Sequence, residues 1–393
     1  MSSYHHQEQV LAQLPVPGDL EIEHSNRLID VLVAEIEQQA GVISFSEYMD
    51  QVLYRPGLGY YSAGKTKFGG AGDFITAPEI SDLFGRTLAK QCESFFQQGC
   101  VPSIMEFGAG SGRLCAQLLS SLPETASYFI IELSADLRQR QQEFLQQQLP
   151  QELYDKLVWL DELPPGFDGI VLANEVLDAM PVHVVSKHQQ WQELGVGFDG
   201  RRFHWRHYAD SSDAVSTIQK IESELEPMPE GYCTEVNLNY KPWLRALQAS
   251  TQQVVIMMID YGYQQAQYYH PERREGTLIC HYRHRAHPDP LVYPGLQDIT
   301  AFVDFDAFAV AAIDSGFEIG GFSTQGHFLL ANGLLDLAAQ TDPQGDTLAQ
   351  LDIAQQVKTL TLPAEMGEKF KVLCLQKNLS LDFPALASAG LHG

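Results

Sequence analysis

The stretch richest in chemistry is Glu106-Phe107-Gly108-Ala109-Gly110-Ser111-Gly112. It follows the apolar run Ser103-Ile104-Met105, which reads as a buried strand. It precedes Arg113-Leu114-Cys115-Ala116-Gln117-Leu118-Leu119, which reads as the start of a helix. Glycines at such a turn let backbone N–H groups approach a ligand at a helix N-terminus. A dinucleotide fingerprint wants its third glycine three residues after the second, where this chain has Arg113. Here the third glycine comes two residues on, with Glu106 ahead of the first. This acid-G-x-G-x-G spacing suits S-adenosylmethionine, which has no pyrophosphate and presents an ammonium group and a ribose. A glycine-rich turn without a ligand is the alternative. Glu132 ends the next apolar run, 20 residues after Gly112, where a nucleotide fold places the carboxylate for ribose hydroxyls. A surface acid at a strand end is the plainer role. Asp161, closing Leu157-Val158-Trp159-Leu160, is a candidate for the adenine edge or a simple strand-end acid.

Asn174, Glu175 and Asp178 form a second group, at the carboxyl end of the run Gly169–Ala173. Asn174 falls with the cofactor candidates. Methyl transfer from a sulfonium is an in-line displacement, so the protein must chiefly position the nucleophile and exclude water. If residues 175–180 turn helically, Glu175 and Asp178 share a face. Paired carboxylates suit a guanidinium, which is planar and stays charged. The same acids could instead cap a helix or bind a metal. The segment is not Asn-Pro-Pro-Tyr, which weighs against amide and nucleobase acceptors.

Three further stretches offer substrate contacts. The glycine-rich and aromatic segment 53–79 suits either a loop over a site, with Asp73 and Glu79 as contacts, or a structural loop. Asp260 and Tyr261 end a buried run and could touch substrate or cap a turn. His281, His284 and His287 are spaced H-x-x-H-x-x-H, with Arg283 and Arg285 between them. The arginines would repel a cation, so His284 reads as a substrate-side or structural residue and no metal is expected.

These residues need elements to hold them. At 393 residues the chain has room for more than one module. A net charge of −25 argues against nucleic acid, whose phosphates need a basic surface. No apolar run reaches the ~20 residues that cross a bilayer. Residues 1–23 read as a mobile leader with neither a secretory nor a transit pattern. The six scattered cysteines fit a reducing cytoplasm. Strands and helices alternate from 103 to 175, predicting a parallel, doubly wound sheet. Residues 182–250 interrupt it with a hairpin turn at Asp199-Gly200 and then helices; 251–262 returns to the sheet; 263–303 is a second insertion. The expected fold is α/β: a seven-stranded sheet with a helical N-terminal segment and an inserted α+β cap. The divisions are 1–100, 101–181, 182–250, 251–262, 263–303, 304–377 and a tail 378–393.

The chain resembles the MidA-type class I methyltransferases from about Ile43 to Lys377. The likeness rests on Ile43-Ser44-Phe45-Ser46-Glu47-Tyr48-Met49, the run Gly72–Glu79, Glu106–Gly112, and Asn174-Glu175-Val176-Leu177-Asp178-Ala179-Met180-Pro181. It continues through Asp260-Tyr261-Gly262, Pro294–Thr300, Thr324-Gln325-Gly326 and Met366–Lys371. It implies a Rossmann-like core, S-adenosylmethionine as donor, and Gly108, Gly110, Gly112 and Glu132 as cofactor residues. Mitochondrial members are complex I assembly factors that methylate an arginine of a core subunit, so a protein carrying an arginine is the implied partner. Without a transit-like leader, this chain is expected to be a bacterial or cytoplasmic member. A small-molecule methyltransferase and a cofactor-binding assembly factor without turnover stay open.

Overall fold

The computed structural model describes residues 4–62, 76–341 and 347–386. The chain divides into two compact units. The first comprises Met1–Phe74, Asp178–Asn239 and Gln265–Phe302; the second comprises Ile75–Leu177, Tyr240–Gln264 and Val303–Gly393.

The second unit is built on seven strands: β1 (Ser103–Phe107), β2 (Ser127–Ile131), β3 (Leu157–Leu160), β4 (Phe167–Asn174), β5 (Thr251–Tyr263), β6 (Glu318–Thr324) and β7 (Phe370–Lys377). Their order across the sheet is β6-β7-β5-β4-β1-β2-β3. Strands β1 to β5 pair in parallel, and β7 runs antiparallel to both of its neighbours. A two-residue strand, Val303–Asp304, adds to the end of β5. Central position explains the composition of β5: Val254 to Ile259 are all buried, as a strand covered on both faces requires. The order reverses between β1 and β4, and such a switch point opens a crevice at the carboxyl ends of those strands. Leu83, Phe84 and Leu88 of the helix Asp82–Gln97, with Leu114 and Leu118 of Arg113–Ser121, join Ile104, Ile170 and Met257 in one core. Phe107 of β1 instead meets Trp243, which packs on Phe308, so the helices Tyr240–Ser250 and Phe305–Asp314 meet here.

The first unit is α+β. Its five-stranded antiparallel sheet joins Ile43–Ser44, Trp191–Phe198, His183–Lys187 and Cys233–Val236, with Phe203–Ala209 beside Trp191–Phe198. Asp199 holds the expected hairpin turn by accepting the Arg201 and Arg202 N–H groups. Ser44 and Glu47 form the capping box of Phe45–Tyr54.

Two expectations fail here. Residues 1–23 are not a featureless leader, because Tyr4–Gln13 and Asp19–Gln38 are helices. Val10 and Leu14 are buried beside Tyr282, Val292 and Leu296, and Pro15 and Pro17 only separate the two helices. Strand Cys233–Val236 is also unexpected among helices. Its alternation is masked by Glu235, a buried carboxylate accepting from Thr277 N and Oγ1 and from Leu278 N.

Candidate functional site

The turn after β1 is left-handed at all three glycines, with φ of +60° at Gly108, +55° at Gly110 and +87° at Gly112. Side chains rarely adopt this region, so the residue type follows from the backbone. Gly112 is the N-cap of the helix Arg113–Ser121, whose first N–H groups face the turn. A Cβ at Gly108 would come 3.3 Å from Val176 Cγ2, closing the space between this turn and the segment after β4. Glu79 braces the turn from outside. It sits in the short helix Ala77–Ile80, accepts from the Ser111 hydroxyl and pairs with Arg113 Nε at 2.8 Å. Gln117, on the same helix as Arg113, donates to Pro78 O at 2.9 Å. Glu79, a candidate substrate contact on sequence, is thus engaged at the glycine turn.

Glu106 points into the core beneath this turn. It is 2 % exposed, accepts the Tyr128 hydroxyl at 2.7 Å, and burial pushes its carboxyl up to about 7. Glu132, just beyond β2, accepts the Ser134 N–H on Oε1 at 2.9 Å and Gln141 Nε2 on Oε2 at 3.0 Å. Asp161 is a different kind of acid: its side chain is 81 % exposed and ion-paired with Arg138, which also donates to Glu132 O.

At the end of β4, Asn174 donates to Glu175 Oε1 at 3.3 Å, while its own Oδ1 is buried without a hydrogen-bond partner. Glu175 has φ +55°, the left-handed region that costs a side chain ~1–2 kcal/mol. Its N–H is held by Ile259 O at 2.8 Å. Asp260 of β5 fixes the next residues: Oδ2 accepts Val176 N and Leu177 N, and Oδ1 accepts Tyr261 N. Residues 175–180 are bends and a turn, so the helical condition for a shared Glu175–Asp178 face is not met. The chain passes into the first unit at Asp178, which is buried there. Tyr261 packs edge-on against Phe370. His284 lies at the exposed tip of a hairpin of the first unit, φ +61°, and Asp73 lies outside the described residues. Among the described residues, no group of three His, Cys, Asp or Glu side chains could hold a metal ion.

Sequence reasoning missed Gln141, Trp159, Tyr128 and Arg138. Gln141 left a signal: it lies four residues after Leu137 and four before Leu145, on the apolar stripe of its helix. An amide in that position has to find partners indoors.

The sheet order, the glycine turn at the switch point and the acid beyond β2 define a class I methyltransferase. A family model for S-adenosyl-L-methionine-dependent methyltransferases matches residues 87–323, and the chain belongs to that family. Among curated proteins, it is 29 % identical to the mitochondrial protein arginine methyltransferase NDUFAF7 homolog of Drosophila melanogaster, over 89 % of this chain and 84 % of that protein. It is 30 % identical to the mitochondrial protein arginine methyltransferase NDUFAF7 of Danio rerio, over 84 % of this chain and 82 % of that one. Among solved structures, a protein from Burkholderia thailandensis bound to S-adenosyl-homocysteine superposes with a TM-score of 0.90 at 42 % identity. That match covers 95 % of this chain and 98 % of the other.

S-adenosylmethionine is the cofactor, and the residues present fit it. The gap that a Cβ at Gly108 would fill and the orphaned Asn174 Oδ1 both flank the carboxyl ends of β1 and β4. When bound, the cofactor supplies an electrophilic methyl group and its own leaving group.

Proposed function

We propose that this chain methylates a guanidinium nitrogen of an arginine on a partner protein, in the cytoplasm. The observation that carries this reading is the match, across more than four-fifths of both chains, to proteins named protein arginine methyltransferases. The family resemblance points first to a subunit of a respiratory complex as partner. Buried or half-buried free thiols throughout the described residues support a reducing compartment.

In this reading Gly108, Gly110, Gly112, Glu132 and Asn174 hold the cofactor, with Glu106 supporting the turn from below and Asp161 at its solvent edge. Glu175 and Asp178 orient the acceptor. Glu175 is the stronger candidate, because a strained backbone fixes a carboxylate directly after the strand that carries Asn174. A guanidinium arrives protonated, so a carboxylate beside it both orients the nucleophilic nitrogen and takes up its proton. Asp260 positions this segment through its three backbone contacts. Tyr261, Glu79, Asp73 and His284 stand as further candidates for acceptor contacts, Glu79 with the weakest claim because it is engaged at the glycine turn.

The test uses tritiated S-adenosylmethionine with lysate from a strain lacking the gene, and Gly110→Arg as the cofactor-blind control. One labelled protein band, absent with the control and mapped to arginine, is expected. Label confined to the small-molecule fraction would replace this reading with a metabolite enzyme. Glu175→Gln keeps shape and removes charge; it is expected to bind S-adenosylhomocysteine within about threefold of wild type while transfer falls at least ~100-fold. Equal losses in binding and transfer would remove Glu175 from the acceptor side.

A further inference from the structure

Gln141 is completely buried in the second unit, yet every polar atom of its side chain is engaged. Nε2 donates to Gly110 O at 3.1 Å and to Glu132 Oε2 at 3.0 Å. Oε1 accepts from Trp159 Nε1 at 3.1 Å. The orientation of the amide follows from chemistry alone. An indole N–H can only donate, and a carbonyl and an ionised carboxylate can only accept, so the amide oxygen must face Trp159. Flipping it would set two donors and two acceptor pairs against each other.

The consequence is a link between two places that sequence treats separately. Gly110 lies in the turn after β1, and Glu132 lies beyond β2. One nitrogen atom bonds to both, so it sets the spacing between the glycine turn and the acid. Ser134 N–H holds the other Glu132 oxygen, which leaves the carboxylate a single plane. Trp159, anchored in β3, keeps the amide from rotating.

We propose that Gln141 is a positioning residue for the cofactor ribose: it orients the Glu132 carboxylate toward the hydroxyls and locks that carboxylate to the glycine turn. This rests on the reading that Glu132 takes the ribose hydroxyls. An apolar residue of the same length, as in Gln141→Met, keeps the packing volume but frees the carboxylate to turn. A general loosening of the glycine turn would weaken every cofactor analogue alike. Loss of ribose orientation would instead weaken only ligands that carry the hydroxyls.

The experiment measures, by calorimetry on the full chain, the dissociation constants of S-adenosylhomocysteine and of its 2′-deoxy and 3′-deoxy analogues. Wild type is expected to prefer the full ribose by roughly 10–100-fold, the effect of hydrogen bonds to a charged group. Gln141→Met is expected to compress that preference to less than about threefold, whatever uniform loss accompanies it. Trp159→Phe, which leaves Gln141 in place but untethered, is expected to reduce it at least about threefold and decides the matter if Gln141→Met does not fold. A preference unchanged in both variants overturns the proposal. Equal binding of all three ligands by wild type overturns the ribose role of Glu132 itself, and this proposal with it.

Discussion

Glu106 opens the pattern acid-G-x-G-x-G, yet its carboxylate lies under the turn against the Tyr128 hydroxyl. Burial raises its folded-state pKa from 4.5 to about 7, with the nearby Glu132 adding to the effect and the Tyr128 hydrogen bond opposing it. A carboxyl whose folded pKa is raised favours folding while it is protonated in both states. That contribution is complete below about 4.5 and is lost as pH rises toward and through about 7. Glu106→Gln keeps an oxygen for Tyr128 and cannot ionise. It is therefore expected to stabilise the protein at pH ~8 by up to a few kcal/mol, with little effect at pH ~5. Thermal unfolding at both values checks this, and an equal shift at the two would show that ionisation is not the cause. The residue scale also marks what sequence can convey about a site. Sequence position marked Glu132 and Asn174 as candidates, because a fold fixes which residues end its strands. It could not foretell that Asp161 would be spent on Arg138, since that pairing depends on rotamers across two elements.

Elements decide how firmly the site is held. The segment after β4 has no helix to stiffen it, and Asp260 does that work from the neighbouring strand. An ionised carboxylate can only accept, which matches three N–H groups pointing at it. In Asp260→Asn one oxygen becomes a donor facing a backbone N–H, so one bond is replaced by a repulsive contact. The expected cost is roughly 1–3 kcal/mol of stability, together with a fall in kcat and near-normal affinity for S-adenosylhomocysteine. Chemical denaturation and calorimetry on the same variant separate these effects; a loss of cofactor affinity as large as that in kcat would place Asp260 on the cofactor side instead. The parallel strands were legible because buried runs such as Val254–Ile259 and Ile170–Ala173 carry little else but apolar residues. Ser44, Ser81 and Ser134 each cap a helix by accepting a backbone N–H two or three residues on, a contact that depends only on local sequence. The helix Tyr4–Gln13 was not legible, because its polar composition gives no clear stripe and its support comes from Tyr282 and Leu296, distant in sequence.

At the scale of the whole molecule, charge says more about encounter than about fold. The chain has 50 acidic residues against 25 basic ones, a formal net charge of −25. Such a field slows approach of polyanions and speeds approach of a basic acceptor, with little bearing on which conformation is stable. Arginine as acceptor makes a kinetic claim that a neutral metabolite would not. Screening shortens the Debye length as salt rises, so long-range attraction fades while contacts formed after docking persist. For an arginine-bearing acceptor peptide, kcat/KM is therefore expected to fall severalfold, up to about tenfold, between about 20 and about 200 mM salt. Under the same change kcat at saturation should move less than about twofold, since the docked complex no longer depends on encounter. Affinity for S-adenosylhomocysteine, measured in parallel, controls for salt acting on the cofactor site. A salt-independent kcat/KM would mean that the acceptor does not feel the chain's charge, and the balance would shift to a neutral small-molecule acceptor.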